Sequence, residues 1–535
     1  MLTRWMKKAF AKPKENAPQA VQNHPSESMG ISFRDKVEAI QKAFDQSPDL
    51  VVREFSASSP DDSVLAICYL EGLTDPALII EMMDSVLRMV DSISSAEEQS
   101  IDASVRRLLP SGKIQNLHTY SKVYEAMLTG HVIICMDGVQ HVLSVPVSGG
   151  ARRSVEEPTS QTVVRGPKEG FTEELSTNMT LIRRKLRTAD LKFQMHHIGS
   201  VSQTSVALVY IQNIAKPEVV EEATRRLNAI CTDSILESGY IEEFIQDAPL
   251  TPFPTMLNTE RPDTVAGSLL DGQIAILVDG TPFALVAPVS FFNFFQTTED
   301  YYQRYDISTF LRVIRMLCFF ISLLLPSTFI ALTTFQQEMI PTTLLVTLAA
   351  QREGVPFPAL LEALLMEITF EVIREAGVRM PRAIGPAISI VGALVIGQAA
   401  VEAGLVSGAM VIVVSFTAIA NFVIPYFSMA TAVRLLRFPF MLLAGTLGIF
   451  GILAGAVPLL AHLVSLRSFG IDYLMPYSPF YKSNMKDQLL RVPWWAMKTR
   501  PDEKAGANKT RQAAHQFPSG SNNAINSIPD SETDE

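Results

Sequence analysis

Four long stretches without a charged side chain divide this sequence into two halves of different character. All four lie in the second half, and their bordering charges are Arg315 and Glu338, Arg382 and Glu402, Glu402 and Arg434, and Arg437 and Arg467. A helix needs roughly 20 apolar residues to cross the hydrocarbon layer of a membrane. Nothing comparable precedes Arg315. The sequence therefore predicts a water-soluble first half and a helical membrane half that begins near residue 300.

The composition agrees with this division and excludes several functional classes. Hydrophobic residues make up 47% of the 535 residues, and the net charge is −10. The negative charge, without a basic stripe interleaved with aromatic residues, argues against nucleic-acid binding. Phosphate-loop, dinucleotide-binding, metalloprotease and nucleophile-elbow motifs are all missing from the sequence. We therefore predict no enzymatic activity, no cofactor and no metal site.

The first half contains one pattern twice. Residues 133–147 read IICMDGVQHVLSVPV, and residues 275–289 read AILVDGTPFALVAPV. Their Asp-Gly pairs, at Asp137 and Asp279, are 142 positions apart. Further pairs keep this spacing or miss it by one residue: Pro146 and Pro288, Tyr69 and Tyr210, Asp49 and Asp190. A spacing that recurs along both segments predicts a duplicated domain.

Each copy predicts the same order of helices and strands. A helix comes first, two strands follow, a second helix begins at a proline, and two more strands meet at the Asp-Gly pair. Proline suits the first position of a helix because its missing N–H has no partner there, and Asp-Gly between β-rich runs indicates a hairpin. We attribute the pair to tolerance of positive φ angles rather than to ligand chemistry. The order predicts two small α/β domains.

The expected organisation has seven parts. They are a disordered N-terminal segment (1–30), the first copy of the α/β domain (31–147), a linker (148–170), the second copy (171–290), a multi-span transmembrane helical domain (291–466), a juxtamembrane segment (467–496) and a disordered tail (497–535). Arginines just before the first apolar run, and no Lys or Arg just after it, place the soluble half in the cytoplasm. The fold class is thus duplicated cytoplasmic α/β domains followed by a transmembrane helix bundle.

The number of membrane spans has two interpretations. Four spans return the tail to the cytoplasm, whereas counting residues 356–377 as a fifth span leaves the tail outside. Lys482, Lys486 and Arg491 follow the last apolar run, and positive charge favours the cytoplasmic side. We therefore expect four full spans plus one re-entrant or interfacial element.

The most unusual membrane segment is PFPALLEALLMEITFEVIREAGVRMP, residues 356–381. At about 100° per residue, Glu367, Glu371 and Glu375 fall on one face of a helix. Such a helix either lies at the membrane surface with its charges in water, or lines a water-filled vestibule in which carboxylates favour cations. Glu367 and Glu371 are therefore candidates for lining a pore or vestibule.

The next apolar run, residues 384–404, is rich in glycine and alanine, so it predicts a helix that packs closely against others. Val391 and Val395 lie four positions apart on one face of that helix. They are candidates for a dry constriction that gates by losing water, the alternative being ordinary helix or lipid packing. Gln398 either bonds a neighbouring helix or joins Glu367 and Glu371 as a polar lining residue.

Several long runs resemble the A subunit of GerA-type bacterial spore germination receptors, over about residues 31–490. The runs are RGPKEGFTEELSTNMTLIRRKLR (165–187), PFPTMLNTERPDTVAGSLLDGQIAILVDGTPFALVAPVSFFNFFQTTEDYY (252–302), PFPALLEALLMEITFEVIREAGVRMP (356–381) and IGPAISIVGALVIGQAAVEAGLVS (384–407). The resemblance implies an integral protein of the inner spore membrane that responds to a small nutrient. It also implies two partners, a permease-like B subunit and a lipoprotein C subunit, of which the B subunit is usually taken to bind the nutrient.

The resemblance further implies that the A subunit forms a homo-oligomer, as a pentamer, and acts as a cation channel whose ion release starts germination. Two other classes remain open from the residues alone, a secondary transporter and a non-conducting scaffold for the sensing partner. Transporters commonly repeat their membrane halves, whereas the repeat here falls in the soluble half. That difference argues against transport.

Overall fold

The computed structural model describes residues 29–30, 32–45, 47–56, 63–93, 114–149, 157–158, 161–379 and 395–513. Nearly all of the N-terminal segment 1–30 lies outside these ranges, as do Val391 and the tail beyond residue 513. Within them, the first half of the chain forms two five-stranded sheets, and the second half is helical.

The first copy is a five-stranded antiparallel sheet covered on both faces. Its elements are α1 (Phe33–Phe44), β1 (Leu50–Ser56), β2 (Ser63–Leu70), α2 (Pro76–Ile93), β3 (Gln115–Leu117), α3 (Tyr120–Leu128), β4 (His131–Met136) and β5 (Val142–Pro146). The strand order is β1-β2-β4-β5-β3. Alternate residues of β2 and β4 point to opposite faces, so one set packs against α1 and α3 and the other against α2. The hairpin predicted around Asp137 is confirmed by the antiparallel pairing of β4 with β5.

The second copy repeats this topology. Its elements are α4 (Leu175–Lys185), β6 (Leu191–Ile198), β7 (Thr204–Ile211), α5 (Pro217–Asn228), α6 (Ser238–Ile245), β8 (Leu257–Thr259), α7 (Pro262–Leu270), β9 (Ile274–Val278) and β10 (Ala284–Ala287). The strand order, β6-β7-β9-β10-β8, matches that of the first copy strand for strand. The periodic spacing in the sequence therefore corresponds to one fold built twice.

The Asp-Gly pairs have the same structural task in both copies. The carboxylate of Asp137 accepts a hydrogen bond from the N–H of Phe33 at 3.0 Å, and that of Asp279 accepts one from Leu175 at 3.0 Å. Phe33 and Leu175 are the first residues of α1 and α4, where backbone N–H groups have no partner inside the helix. Only the glycine of each pair has a positive φ, 76° and 91°. The aspartate is therefore a helix cap from a distant turn, not merely a residue that tolerates the turn.

A buried ion pair joins the two copies. The guanidinium of Arg183, on α4, donates to both carboxylate oxygens of Asp49 at 2.9 Å. It also donates to the Ser47 hydroxyl at 3.1 Å and the Leu191 carbonyl at 3.1 Å, and its side chain is 0% exposed. A bidentate pair of this kind fixes orientation as well as distance, so α4 holds the first copy in a defined position on the second.

The helical region follows the second copy. Its elements are an elbow made of a 3-10 helix (Phe291–Phe295) and α8 (Glu299–Tyr302), then α9 (Tyr305–Thr334), a 3-10 turn (Gln337–Met339), α10 (Thr342–Glu353), α11 (Ala359–Arg379), helical residues 395–402, α12 (Gly408–Phe422) and α13 (Phe427–Ser465). Within the described ranges, α9 and α13 are long and apolar enough to cross a membrane, and α12 is a shorter apolar helix. Most of the apolar run 384–404 lies outside those ranges, so a span there stays a prediction.

Helix α13 consists of two arms that fold back on each other at Gly448. This residue has φ 65° and ψ −143°, which no helix contains. Gly451 lies against the backbone of Leu443, and Gly455 lies against the side chains of Leu443 and Phe440. A straight helix would separate these pairs by about 12 Å or more. The apolar run between Arg437 and Arg467, counted above as one of four spans, therefore does not form a single straight helix, because glycine admits a positive φ and lets the run turn back.

Contacts at the helix ends show which ends lie together. Just past the end of α9, the side-chain oxygen of Gln336 accepts a hydrogen bond from the N–H of Ile449 at 3.2 Å, at the fold-back. At the other end of the second arm, His462 lies 2.8 Å from the hydroxyl of Thr251 in the second copy. The helices therefore extend between the second copy and a far end near Gln336 and Gly448.

Residues 497–513 differ from the disordered tail expected there, because they are ordered against the second copy. The N–H of Gly506 donates to the carbonyl of Ile214 at 2.6 Å. The guanidinium of Arg500 donates to the carbonyl of Leu270 at 2.8 Å. Polar composition predicts disorder when there is no core to bury, but backbone pairing to an existing domain provides order without apolar side chains.

Candidate functional site

The acidic face predicted for α11 exists, and its environment changes along the helix. The side chains of Glu367, Glu371 and Glu375 are 0%, 28% and 66% exposed, in that order. Each carboxylate is paired with at least one arginine. The face therefore leads from the interior of the helical region to its surface.

Glu367 belongs to a polar cluster that connects four helices. Arg437 on α13 donates to the carboxylate of Glu367 at 2.5 Å, to the carbonyl of Ser322 at 2.8 Å and to the hydroxyl of Ser322 at 3.0 Å. Ser322, on α9, in turn donates to the side-chain oxygen of Asn421 on α12 at 3.3 Å. These four residues are between 0% and 5% exposed. We call this set the four-helix polar cluster.

Burial makes the four-helix polar cluster sensitive to the loss of any charged member. Two charges removed from water are tolerated when they pair, but removing one partner leaves the other uncompensated at a cost of about 3–5 kcal/mol. One carboxylate oxygen of Glu367 has no hydrogen-bond partner among the described residues. The cluster therefore holds α9, α11, α12 and α13 in one arrangement while keeping one buried acceptor free.

Sequence reasoning missed a second buried carboxylate on α11, that of Glu362. It is 0% exposed and accepts hydrogen bonds from the N–H and the hydroxyl of Ser407, at 2.8 and 2.7 Å. Ser407 is the cap at the start of α12, and Arg352 lies 4.0 Å away. Glu362 stands off the face that carries Glu367, so helical periodicity did not select it, and no local signal connects it to Ser407.

The remaining candidate residues lie apart from this cluster. Glu371 pairs with Arg374, and Arg434 lies 3.3 Å from its carboxylate.

Gln398 is exposed and donates to Glu402 at 2.8 Å. Val395 is 56% exposed, and Val391 lies outside the described residues. The structure thus brings Glu367 and Glu371 together on α11 and leaves Val395 and Gln398 on an outer surface. Glu367 does not face an open surface of the single chain, because its carboxylate pairs internally with Arg437.

A second charged cluster stands where the chain enters α9. Asp300 of the elbow, 1% exposed, accepts hydrogen bonds from Arg312 at 3.0 Å and from Arg315 at 2.8 Å. Arg312 also donates to Asp487 at 2.8 Å, and Asp487 accepts from the hydroxyl of Tyr301 at 2.6 Å. Burial, and then the carboxylate of Asp487, raise the pKa of Tyr301. The sequence identified both arginines as topology signals but gave no indication of Asp487 as a partner.

A cavity of about 260 Å³ lies beside this second cluster, between the linker, the second copy, the elbow and the start of α13. Its polar lining includes Arg261 and Arg315, which are already paired with Asp263 and Asp300. The lining also includes threonines, Tyr426 and Glu299, so the cavity offers hydroxyl groups and a carboxylate rather than an uncompensated cation.

The chemistry available in these clusters is electrostatic. Within the described ranges, no group of three His, Cys, Asp or Glu side chains is placed to hold a metal ion. The arrangement consists instead of buried and half-buried ion pairs between helices, a geometry that can hold helices together, separate them when a pair breaks, and favour cations along an acidic face.

Comparison with known proteins gives one consistent result. A family model, Bacillus/Clostridium GerA spore germination protein, matches residues 38–503. Spore germination protein KA of Bacillus subtilis (strain 168) is 47% identical over 487 residues, which cover 91% of this chain and 89% of the relative. Spore germination protein GerLA of Bacillus cereus is 41% identical over 459 residues, 85% and 92% of the two chains. A crystal structure of the N-terminal domain of the A subunit of the Bacillus megaterium spore germinant receptor GerK3 is 34% identical with a TM-score of 0.40, covering 50% of this chain and 99% of that one.

Proposed function

Because the chain belongs to the Bacillus/Clostridium GerA family of spore germination proteins, we propose that it is the A subunit of a nutrient-responsive germination receptor and that its helical region conducts cations. The observation that carries the proposal is the acidic face of α11, which leads from the buried Glu367 to the exposed Glu375 within a region that contains two candidate spans. Carboxylates are costly inside a membrane unless they pair or face water, and in a water-filled path they favour cations.

In this proposal the helical region crosses the inner spore membrane six times and the α/β copies lie in the cytoplasm. Helix α9 and the two arms of α13 extend between the second copy and the far end, which supports three crossings. Helix α11 begins with Leu360 packed on Gly445 near the far end, and α12 ends near Tyr426, whose ring lies 5.9 Å from that of Phe294 in the elbow. These contacts support two return crossings, and the run 384–404 supplies the remaining outward one.

The proposed pore forms between identical protomers rather than within one. Val395 and Gln398 are exposed on the single chain, so they are available to neighbours in a ring. We assign Val391 and Val395 to a dry constriction, and Gln398 and Glu371 to the polar lining. Glu367 then supports the lining from behind, through Arg437 and the four-helix polar cluster.

The proposed assembly follows the family's receptor organisation. A permease-like B subunit senses the nutrient, a lipoprotein C subunit completes the receptor, and the A subunits form a ring, as a pentamer. The two α/β copies couple neighbouring protomers and pass the signal to the elbow at the start of α9. Release of cations through the ring then starts germination.

The direct test is a polar substitution at the proposed constriction. Val395→Asn should hydrate the constriction, so that spores carrying this variant lose potassium at rest, at least tenfold faster than spores with the unaltered receptor. Tenfold corresponds to about 1.4 kcal/mol off the barrier, a modest demand on a dewetted gate. Potassium retention is measured by flame photometry of washed spores kept without nutrient.

The matched control is Ile412→Asn, an apolar position on α12 that is more exposed than Val395, at 71% against 56%. It should leave resting potassium unchanged. Equal leakage from both variants would point to general loss of packing, and no leakage from Val395→Asn would remove that residue from the gate. Purified protein that forms rings in lipid yet passes no cations under any trigger would favour the scaffold function.

A further inference from the structure

The first copy is completed by the residues that directly follow its last strand. After β5 the chain continues through residues 147–149 along the turn after β2. The N–H of Gly149 donates to the carbonyl of Leu73 at 3.0 Å. Ser148 forms an antiparallel bridge with Thr74. This short extended segment supplies the backbone groups of that turn with partners.

The second copy cannot be completed in the same way, because its chain turns away after β10. The N–H of Val289 donates to the hydroxyl of Ser468 at 3.0 Å, and the N–H of Phe291 donates to the carbonyl of Tyr473 at 2.8 Å. Both partners lie beyond α13. After β5 the first copy pairs residues 147–149 with its own turn, whereas after β10 the second copy continues into the elbow.

Residues 504–506 take the vacant position. The N–H of Gly506 donates to the carbonyl of Ile214, and Ala505 forms an antiparallel bridge with Ala215. Ile214 and Ala215 are the counterparts of Leu73 and Thr74, 141 positions later in the chain. In this position, residues 504–506 correspond structurally to residues 147–149 of the first copy.

Two glycines provide a third correspondence. Gly130, with φ 85°, lies against the Cα of Ser148, and its counterpart Gly272, with φ 95°, lies against the Cα of Ala505. Neither position has room for a side chain: at Gly272 the segment with Lys504 and Ala505 closes the space, and at Gly130 Ser148 closes it together with the carbonyl of Leu73. The second copy therefore preserves the shape of a groove that its own following residues do not fill.

The segment that fills this groove also contacts the elbow. The ammonium group of Lys504 donates to the side-chain oxygen of Asn293 at 2.8 Å. Asn293 lies in the 3-10 helix of the elbow and accepts from the N–H of Ser290 at 2.9 Å. Arg500 and Arg511 add contacts to Leu270 and Asp271 at the end of α7. Residues 500–511 thus connect the second copy to the elbow, which sets the direction in which α9 begins.

We propose that the second copy carries a docking groove for a short backbone segment. Its removable occupant is residues 498–511 of the same chain, a loop closed by backbone hydrogen bonds between Arg500 and Lys509 and between Arg511 and Lys498. This loop is a latch between the end of α13 and the start of α9. Release of the latch leaves the backbone carbonyl of Ile214 unpaired and removes the hydrogen bond from Lys504 to Asn293, so the elbow loses one of its restraints. The docking groove stands on the contacts alone, and only the use of the latch in gating rests on the proposed function.

The test uses the purified chain ending at residue 497 and a fluorescent peptide of residues 498–513. The truncated protein should bind the peptide saturably, whereas the full-length chain should take it up far more slowly, because its own segment must first leave. A peptide carrying Gly506→Val should bind at least tenfold more weakly, since a side chain there meets the carbonyl of Ala215. The matched control peptide carries Ala507→Val at an exposed position and should bind normally.

Three outcomes overturn the proposal. The first is that the truncated protein fails to bind the peptide although hydrogen exchange shows β6–β10 protected. The second is that the Gly506→Val and Ala507→Val peptides bind with the same affinity. The third is that the full-length chain never takes up the peptide, which would show that its own segment is permanently bound.

If the truncated protein does not fold, full-length protein with Ala215→Cys and Ala505→Cys, in a Cys231→Ser and Cys318→Ser background, provides the second measurement. A disulfide should form within one chain, and failure to form it, or formation between chains only, overturns the assignment. Neither experiment measures ion flow, so its failure is distinguishable from failure of the channel proposal.

Discussion

The two α/β copies have the same strand order and the same capping aspartate, but they differ in how each is completed. The first copy is a continuous stretch of chain. The second receives its last backbone partners from residues 504–506, which follow the whole helical region in the sequence. A domain can therefore accept a very large insertion at an edge where closure needs only backbone hydrogen bonds and a glycine, because those requirements place little demand on side chains.

The copies also differ at the position that joins them, and this difference predicts the largest effect. Arg183 on α4 corresponds to Gln41 on α1, which is half-buried. Arg183→Ala should lower the free energy of unfolding of the soluble half by about 3–5 kcal/mol, because Asp49 loses its bidentate partner in a buried site. Gln41→Ala should change it by less than about 0.5 kcal/mol. Chemical denaturation with hydrogen exchange resolved for each copy measures both.

Arg183→Lys serves as the intermediate variant, since it keeps the charge and loses the bidentate geometry. Equal destabilisation by Arg183→Ala and Gln41→Ala would contradict the assigned asymmetry. A loss confined to local packing of α4, with the first copy still protected to the same degree, would show that the ion pair does not hold the copies together.

A second, smaller effect concerns Lys504, which occupies the place of the apolar Val147. Burial lowers the pKa of Lys504 to about 8, whereas an exposed lysine titrates near 10.4. Glu503 and Asp487, the charged groups that face it, oppose this shift.

Between pH 8 and about 10.4, Lys504 is protonated in the unfolded chain but largely neutral in the folded chain. The free energy of unfolding of the latched second copy should therefore rise with pH, by about 2 kcal/mol from pH 8 to 10. Lys504→Val, which copies the first domain, should remove this dependence. The measurement is hydrogen exchange of residues 213–216 as a function of pH, corrected for the intrinsic exchange rate. A slope that persists in Lys504→Val would show that another group titrates.

The smallest effect concerns what the copies share. Asp137→Ala and Asp279→Ala should each destabilise their own copy by about 1 kcal/mol, because each removes one capping hydrogen bond at a helix N-terminus. The two losses should be equal within about 0.5 kcal/mol and additive in the double variant, since the sites are far apart. Hydrogen exchange at Phe33 and Leu175 reports each cap separately, and a loss in one copy only would mean that the caps are not equivalent.

Much of the soluble half could be predicted from the sequence because its signals are local. Proline at the start of α5, the continuous apolar run of β7 and the Asp-Gly pair between β9 and β10 each indicate an element without reference to the rest of the chain. The constant spacing then indicates that the elements recur in one order. The partners of the Asp-Gly carboxylates could not be predicted, because Asp137 and Phe33 lie far apart in sequence.

The helical region and the tail could be predicted less well, for physical reasons that differ. The fold-back at Gly448 lies within an apolar run whose hydropathy is the same whether one helix or two fill it. The latch depends on backbone hydrogen bonds, so residues 504–506 (Lys-Ala-Gly) and residues 147–149 (Val-Ser-Gly) need share only the glycine. Sequence comparison of the two copies therefore gives no signal that these segments correspond. On α11, periodicity identified the acidic face with Glu367 and Glu371, but not Arg437, whose position depends on how α11 and α13 pack.

The late position of the latch has a consequence for synthesis. The residues that complete the second copy leave the ribosome after every helix of the region between residues 305 and 465. They reach the groove only if α13 has turned back at Gly448, because that turn returns the chain to the end of the helices that contacts the second copy. A molecule in which α13 has not turned back would keep an incomplete second copy, with unpaired backbone at residues 213–215.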